Sequence, residues 1–318
     1  MRLRALFASL LFVAAAGNHA AITIPQNAKW VAWTVPTPSD VTICCSFNNG
    51  RSSCCDCTLE SDGMSIGDDR RTGSGSMTVA VKLEGGVARK VRVLDGACDV
   101  RGKNPSIQWL SDVTPEESIQ YLAAQARRDA GDNGSFVTAI ALHKSASAEP
   151  TLEQLAGRGA PTDTREQALF WLGQRGGDAG FRYLTAFMKT DATMELKKRA
   201  VFAMTQTKSE GAIDELISLA RNNPSSEIRR ESLFWLGQKA GEKAANELRR
   251  AVDDDPDDDV REHAVFAISQ LPHDRSVPLL IDLVKHHKSA KVRERAMFWL
   301  AQTNDPRALQ VIEDILTK

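Results

Sequence analysis

Phenylalanine recurs every 32 residues through the second half of this chain, at Phe170, Phe202, Phe234, Phe266 and Phe298. Each lies in the same seven-residue frame, from 168–174 to 296–302, and the five copies align without a gap. A fixed period of this length marks one supersecondary unit repeated and stacked, because a single unit buries too little apolar surface to stand alone. Trp171, Trp235 and Trp299 occupy alternate copies, with Ala203 and Ala267 between them. The chain therefore also carries a 64-residue super-repeat, which suggests duplication of a two-unit block.

A companion segment repeats in step. Phe181, Ile213, Ala245, Val277 and Leu309 share one phase, and Leu184, Leu216, Leu248, Leu280 and Ile312 share the next. Apolar residues recur three or four positions later, as in Phe187/Met188 and Leu283/Val284, which is one face of an amphipathic helix. Asn223-Pro224 and Asp255-Pro256 read as an N-cap followed by proline in the first helical turn. Each unit is then two helices joined by a short turn.

The motif Val292-Arg293-Glu294-Arg295-Ala296-Met297 is echoed by Ile228-Arg229-Arg230-Glu231-Ser232-Leu233 and Val260-Arg261-Glu262-His263-Ala264-Val265. These residues resemble HEAT repeats, particularly the short bacterial HEAT-like type also found in bilin lyases of phycobilisomes. The resemblance covers 149–318 and implies a right-handed solenoid that serves as a binding scaffold rather than an enzyme. Upstream, 114–148 is expected to form a degenerate helical cap.

Residues 21–111 read as a small β-rich domain. The run 30–35 is apolar and β-prone, and Val79, Val81 and Leu83 alternate up to Gly85-Gly86, with Val87, Val91 and Val93 beyond it. A Gly-Gly pair between alternating runs signals a two-residue hairpin turn. The stretch 48–76 is rich in Gly, Ser, Asp and Arg and is expected to be loop. All six cysteines lie in this first third: Cys44, Cys45, Cys54, Cys55, Cys57 and Cys98. An even number packed into one small region points to disulfides that staple it. An all-thiolate zinc site is the competing arrangement, and no metal is expected if the thiols are oxidised.

Oxidation agrees with the N-terminus, where Arg2, Arg4 and the apolar run 5–16 read as a signal peptide over 1–20. The chain is thus expected to be exported, periplasmic or secreted, without membrane insertion after cleavage. The fold class is α+β, mainly α: a HEAT-like α-solenoid preceded by the β-rich domain. A net charge of −1 gives no electrostatic footprint for nucleic acid.

On a helical wheel, Val292, Ala296, Trp299 and Leu300 face the paired helix, and Phe298 falls nearly opposite with Gln302 close by. The same phase holds in every copy. Phe170, Phe202, Phe234, Phe266 and Phe298 are therefore expected to form a ladder beside Gln174, Gln206, Gln238, Gln270 and Gln302, facing the concave side of a HEAT-like stack. One reading is an aromatic groove with amide donors and acceptors for a protein or peptide. The other is that each ring only packs between neighbouring second helices.

The basic position five before each Phe (Arg165, Lys197, Arg229, Arg261, Arg293) is expected to pair with Asp163, Glu195, Glu227 or Asp259 of neighbouring units. The position three before (Gln167, Arg199, Glu231, His263, Arg295) is the better candidate for partner specificity. The acidic run 253–259 lacks the glycine and final glutamate of an EF-hand, which favours a turn that caps the next helix. No metalloprotease, serine-hydrolase or phosphate-loop motif occurs, so neither catalytic residues nor a cofactor are expected. Binding or lyase-like processing of a tetrapyrrole or other hydrophobic ligand is the alternative function.

Overall fold

The computed structural model describes residues 22–25, 27–38, 41–44, 46–48, 51–53, 57, 59, 65–67, 74–128, 131–190, 192–239 and 241–316. The signal-peptide reading falls outside them.

Among the described residues, the strands come first: β1 (Trp30–Pro36), β2 (Thr42–Cys44), β3 (Ser46–Asn48), β4 (Arg51–Ser53), β5 (Ser65–Gly67), β6 (Ser76–Glu84) and β7 (Val87–Asp95). The short helix α1 (Val100–Lys103) and strand β8 (Gln108–Trp109) follow. The main sheet has the order β7-β6-β1-β8, antiparallel except where β8 runs parallel to β1. The β6–β7 hairpin turns on Gly85 and Gly86, whose φ values of 59° and 77° suit glycine and match the right-handed strand twist. The expected loop over 48–76 instead contains β4 and β5, the latter paired with β2.

One face of the sheet carries Val31, Trp33, Val35, Val79 and Val81, and their core continues into the helices without a break. The contact is made by α2 (Pro115–Ala126) and α3 (Asn133–Ala141). Trp33 Nε1 donates to Ser118 Oγ at 2.8 Å, and the backbone of Val91 donates to Ser135 Oγ at 2.9 Å. Polar groups that the sheet would leave buried and unpaired are thus satisfied by the helices. The other face buries Trp30, Ala80, Leu94 and Ile107 around Leu59. Beside it Cys57 is bonded to Cys98, with Cα atoms 5.6 Å apart and a separation of 41 positions in sequence. Asn104 clamps the same segment, accepting from the Leu59 N–H and donating to the Cys57 carbonyl. The other cysteine candidates lie beyond this view: Cys44 is in β2, and Cys45, Cys54 and Cys55 fall outside the described residues.

The repeat array follows as α4 (Ala148–Ala156), α5 (Thr162–Arg175), α6 (Gly177–Phe187), α7 (Met194–Gln206), α8 (Ala212–Asn222) and α9 (Ser226–Lys239). It continues through α10 (Glu242–Asp254), α11 (Asp258–Ser269), α12 (His273–His286), α13 (Ala290–Ala301) and α14 (Pro306–Leu316). Odd-numbered helices from α3 to α13 form one row and even-numbered helices from α4 to α14 the other, with α4, α6, α8, α10 and α12 each packing on the odd helix after it and α14 on α13. Leu184, Leu216, Leu248 and Leu280 of the even row are fully buried between the rows, as their phase predicts. This is an α-solenoid.

Asn223-Pro224 and Asp255-Pro256 do not begin helices. Asn223 and Asp255 are the C-caps of α8 and α10, and each side chain accepts the N–H two residues on, forming an Asx turn. Asp257 takes the N-cap of α11. A proline placed between two helices stops the first without costing the second a hydrogen bond.

Candidate functional site

Spacing along the odd row alternates. A Cβ built on Gly173 of α5 would meet the Ala203 carbonyl oxygen of α7 at 2.3 Å, and one on Gly237 of α9 would meet that of Ala267 in α11 at 2.6 Å. Backbones can approach this closely only where no side chain intervenes. The equivalent residues of α7 and α11 are Thr205 and Ser269, and there the next helix stands off. Units therefore pair into close blocks, and the 64-residue period is the period of that pairing.

The aromatic row follows the same alternation. Within blocks, Phe170 stacks on Phe202 with centroids 6.4 Å apart, and Phe234 on Phe266 at 6.2 Å. Between blocks the wider gap is filled by tryptophan, Trp235 against Phe202 at 4.8 Å and Trp299 against Phe266 at 5.0 Å. The wheel assigned tryptophan to its paired helix. It instead wedges against the preceding odd helix, a neighbour that a single-helix wheel does not contain. The four rings from Phe170 to Phe266 are half-buried, while Phe298, on the last odd helix, is 50% exposed. The phenylalanines thus pack the row and also present an edge along it.

The glutamines lie beside that edge. Gln174, Gln238, Gln270 and Gln302 are exposed and Gln206 is half-buried. Gln174 Nε2 stands 3.4 Å from Gln206 Oε1, at the long limit of a hydrogen bond. Gln206 and Gln270 donate to the hydroxyls of Thr205 and Ser269, and they mark the residues that widen the junctions.

The basic ladder is structural, but with other partners than expected. Arg229 Nη1 donates to the Asn223 carbonyl at 3.0 Å, Arg293 Nη1 to that of His287 at 2.7 Å, and Arg261 to that of Asp255. Each guanidinium satisfies the carbonyls of the turn that precedes its own helix. Arg229 also forms a two-pronged pair with Asp255 of the next unit's turn, at 2.9 and 3.0 Å, and both side chains are buried. Within the acidic run, then, Asp255 anchors a neighbouring unit and Asp257 caps a helix.

Glu227 and Asp259 do bridge units, but to the residue next to the expected partner. Glu227 meets Lys198 at 3.1 Å, and Asp259 meets Arg230 at 3.9 Å. The variable position joins in, Arg199 pairing with Glu166 at 3.1 Å and Arg295 with Glu262 at 2.8 Å. Around the last of these pairs a groove of about 390 Å³ opens, lined by Arg230, Glu262, His263, Phe266, Arg295 and Trp299. Burial, then the charge of Arg230, holds the His263 imidazole below its ordinary pKa.

One feature of this groove departs from the expectations drawn from the repeat. Trp171 Nε1 donates to Thr138 Oγ1 at 3.2 Å and Trp235 Nε1 to Glu231 at 2.7 Å. Trp299 Nε1 is buried without an acceptor among the described residues, and Arg295 stands where Trp235 has its glutamate. Aligning 231 with 295 in the super-repeat carries the signal.

Residues 183–269 and 251–318 match the family model described as HEAT repeats. Among solved structures, the chain is similar to YibA of Escherichia coli, at 20% identity over 57% of this chain and 67% of that one, with a TM-score of 0.38. It is similar to human deoxyhypusine hydroxylase in complex with glycerol, at 16% identity over 62% and 77% of the two chains and a TM-score of 0.29. It is also similar to the complex of CpcE and CpcF of phycocyanin lyase from a Nostoc species, at 17% identity over 64% and 82% and a TM-score of 0.31. No curated protein matches the chain. The matched segments carry the Phe and Gln rows from Phe202 and Gln206 onward. No helix among the described residues is long and apolar enough to cross a membrane.

Proposed function

We propose that this chain is an exported, non-catalytic scaffold that binds an extended protein or peptide segment along the Phe/Gln face of its HEAT repeats. The observation that carries the reading is a row of half-buried phenylalanines bordered by mostly exposed glutamines at one-unit intervals. Such an edge offers apolar contact, and the carboxamides both donate to and accept from a peptide backbone of either polarity. Because the rings also hold the row together, binding energy is expected to concentrate at the half-exposed Phe298 and the glutamines. The Cys57–Cys98 disulfide supports an oxidising compartment.

A displayed peptide library panned on the full chain tests the reading. Selected peptides are expected to bind the native chain and to lose at least about tenfold in affinity on Gln174→Ala/Gln238→Ala/Gln270→Ala/Phe298→Ala. These positions are exposed, so circular dichroism should show an unchanged helical content. Equal affinity for the folded variant overturns the assignment of the face. A coloured molecule that co-purifies with the chain and occupies it stoichiometrically overturns the peptide reading in favour of a tetrapyrrole.

A further inference from the structure

Two between-block junctions on the even row are built from equivalent positions, and one is plugged where the other is open. At α10–α12, Arg249 holds Asp253 of its own helix at 2.9 Å and also binds Asp282 of α12. His286 Nδ1 stands 2.9 Å from Asp282, and His287 Nε2 lies 3.5 Å from Asp253. One block earlier, at α6–α8, Thr185 stands in place of Arg249 and Ser218 in place of Asp282. Lys189 replaces Asp253, and Asn223 replaces His287. Two short hydroxyl side chains have thus replaced a guanidinium–carboxylate pair. A groove of about 410 Å³ lies between α6 and α8 and the turns that lead into α7 and α9.

The lining is chemically divided. Met188, Met194, Leu219 and Ile228 form an apolar surface, three of them buried. Thr185 Oγ1 is also buried there, without a hydrogen-bond partner among the described residues. Lys189 and Lys197 line the groove too, and neither engages a partner among the described residues. Lys197 stands where the other units have arginine. It lacks the planar fork with which Arg229 and Arg293 bind the turn carbonyls, so its ammonium stays available. Among the described residues of the lining, Glu215 is the one acidic side chain, which sets two ammonium groups against one carboxylate there.

We infer that the α6–α8 groove is a binding site for a small amphipathic monocarboxylate. Its apolar body rests on Met188, Met194, Leu219 and Ile228, its carboxylate is met by Lys189 and Lys197, and Thr185 supplies a hydroxyl beside it. The volume lies in the range of small-ligand sites. The charge excess fits one carboxylate, the group that Asp253 and Asp282 bring to the plugged junction. The site is separate from the Phe/Gln face and does not depend on the reading of that face.

Octanoate is the probe, titrated calorimetrically into the full chain, with octanol as its uncharged counterpart. Octanoate is expected to bind at one site and octanol at least about tenfold more weakly. The variant Thr185→Arg/Ser218→Asp rebuilds the plug of α10–α12 and is expected to abolish octanoate binding while the thermal midpoint holds or rises. Lys189→Gln/Lys197→Gln changes two cations that have no partner among the described residues. It is expected to weaken octanoate about tenfold and leave octanol unchanged, which decides the matter if the plugged variant does not fold. Absence of binding at millimolar octanoate overturns the proposal, as does equal binding by the native chain and the folded variants. Octanol binding as tightly as octanoate overturns the carboxylate assignment.

Discussion

Gly173 and Ala203 are in backbone contact across two helices, with room for 2.3 Å between a Cβ on the first and the carbonyl oxygen of the second. Gly237 and Ala267 repeat the contact one block later at 2.6 Å. These two approaches set the alternation of the array. They draw α5 onto α7 and α9 onto α11, stack the phenylalanines in pairs, and leave the wider between-block junctions that tryptophan fills on one row. On the other row those junctions are either plugged by charge or left open.

Gly173→Ala and Gly237→Ala are therefore expected to destabilise the chain by about 1–3 kcal/mol each, the usual consequence of overpacking. The effect runs against helix propensity, which favours alanine over glycine in a helix interior. Denaturant unfolding should show a lower midpoint at an unchanged slope. No loss of midpoint would mean that the helices separate at little cost and that the glycines do not set the block.

Arg229 and Asp255 are a buried ion pair that ties the start of α9 to the turn before α11. Asp255→Ala leaves the guanidinium without its carboxylate, and the expected loss is about 3–5 kcal/mol. Replacing both, as Arg229→Met/Asp255→Leu, removes the uncompensated charge and should recover much of that loss. The non-additivity of the cycle, read by urea unfolding, measures the coupling. Equal losses for the single and double variants would place the stability in the turn hydrogen bonds rather than in the pair.

The repeat array was legible because its signal is translational. Five phenylalanines at one spacing define the unit, and the buried leucines of the even row follow from helix phase alone. Contacts between units were not legible from a wheel, which contains one helix and no neighbour. That is why a wheel turns Trp235 towards its own partner while the ring lies on Phe202, and why Glu227 meets Lys198 rather than the basic residue expected. At Asn223 and Asp255, a local signal has two solutions. An Asx-Pro pair suits a helix start, yet the side chain can equally fold onto the backbone beyond the proline and close the turn. For the candidate face, the sequence placed the Phe and Gln rows side by side. The double duty of the rings, packing each other while showing an edge, emerges only from their stacking distances.

Cys57 and Cys98, 41 positions apart in sequence, are cross-linked beside the outer face of the sheet. Cys57→Ser/Cys98→Ser is expected to lower stability by about 2–4 kcal/mol, mostly through a less constrained unfolded chain. Because the sheet and the array share one core, the loss should appear as a lower midpoint for the whole molecule. Calorimetry of the native chain and the variant checks this. A low-temperature transition confined to the sheet, with the helical signal intact, would show instead that the two regions unfold separately.

His143 makes the seam between sheet and array sensitive to acid. Its Nδ1 lies 2.7 Å from the Ala139 carbonyl, which only accepts, so that nitrogen carries the proton. Nε2 is then the acceptor for Ser118 Oγ–H at 2.8 Å, and Ser118 Oγ in turn accepts from Trp33 Nε1–H. The chain of bonds is complete with a neutral imidazole, and a second proton breaks it. Burial pushes the pKa of His143 down to about 4, against smaller opposing contributions from the Ala139 carbonyl and Glu116. The unfolded chain, with a pKa near 6.5, therefore binds the proton first. The seam's contribution is fully present above about pH 6.5 and falls as pH drops towards 4, by about 3 kcal/mol in all. Unfolding midpoints measured from pH 7 to 4 should show this decline, and His143→Gln should flatten it at the cost of a lower plateau. A decline that persists undiminished in the variant would assign the acid sensitivity to carboxylates elsewhere.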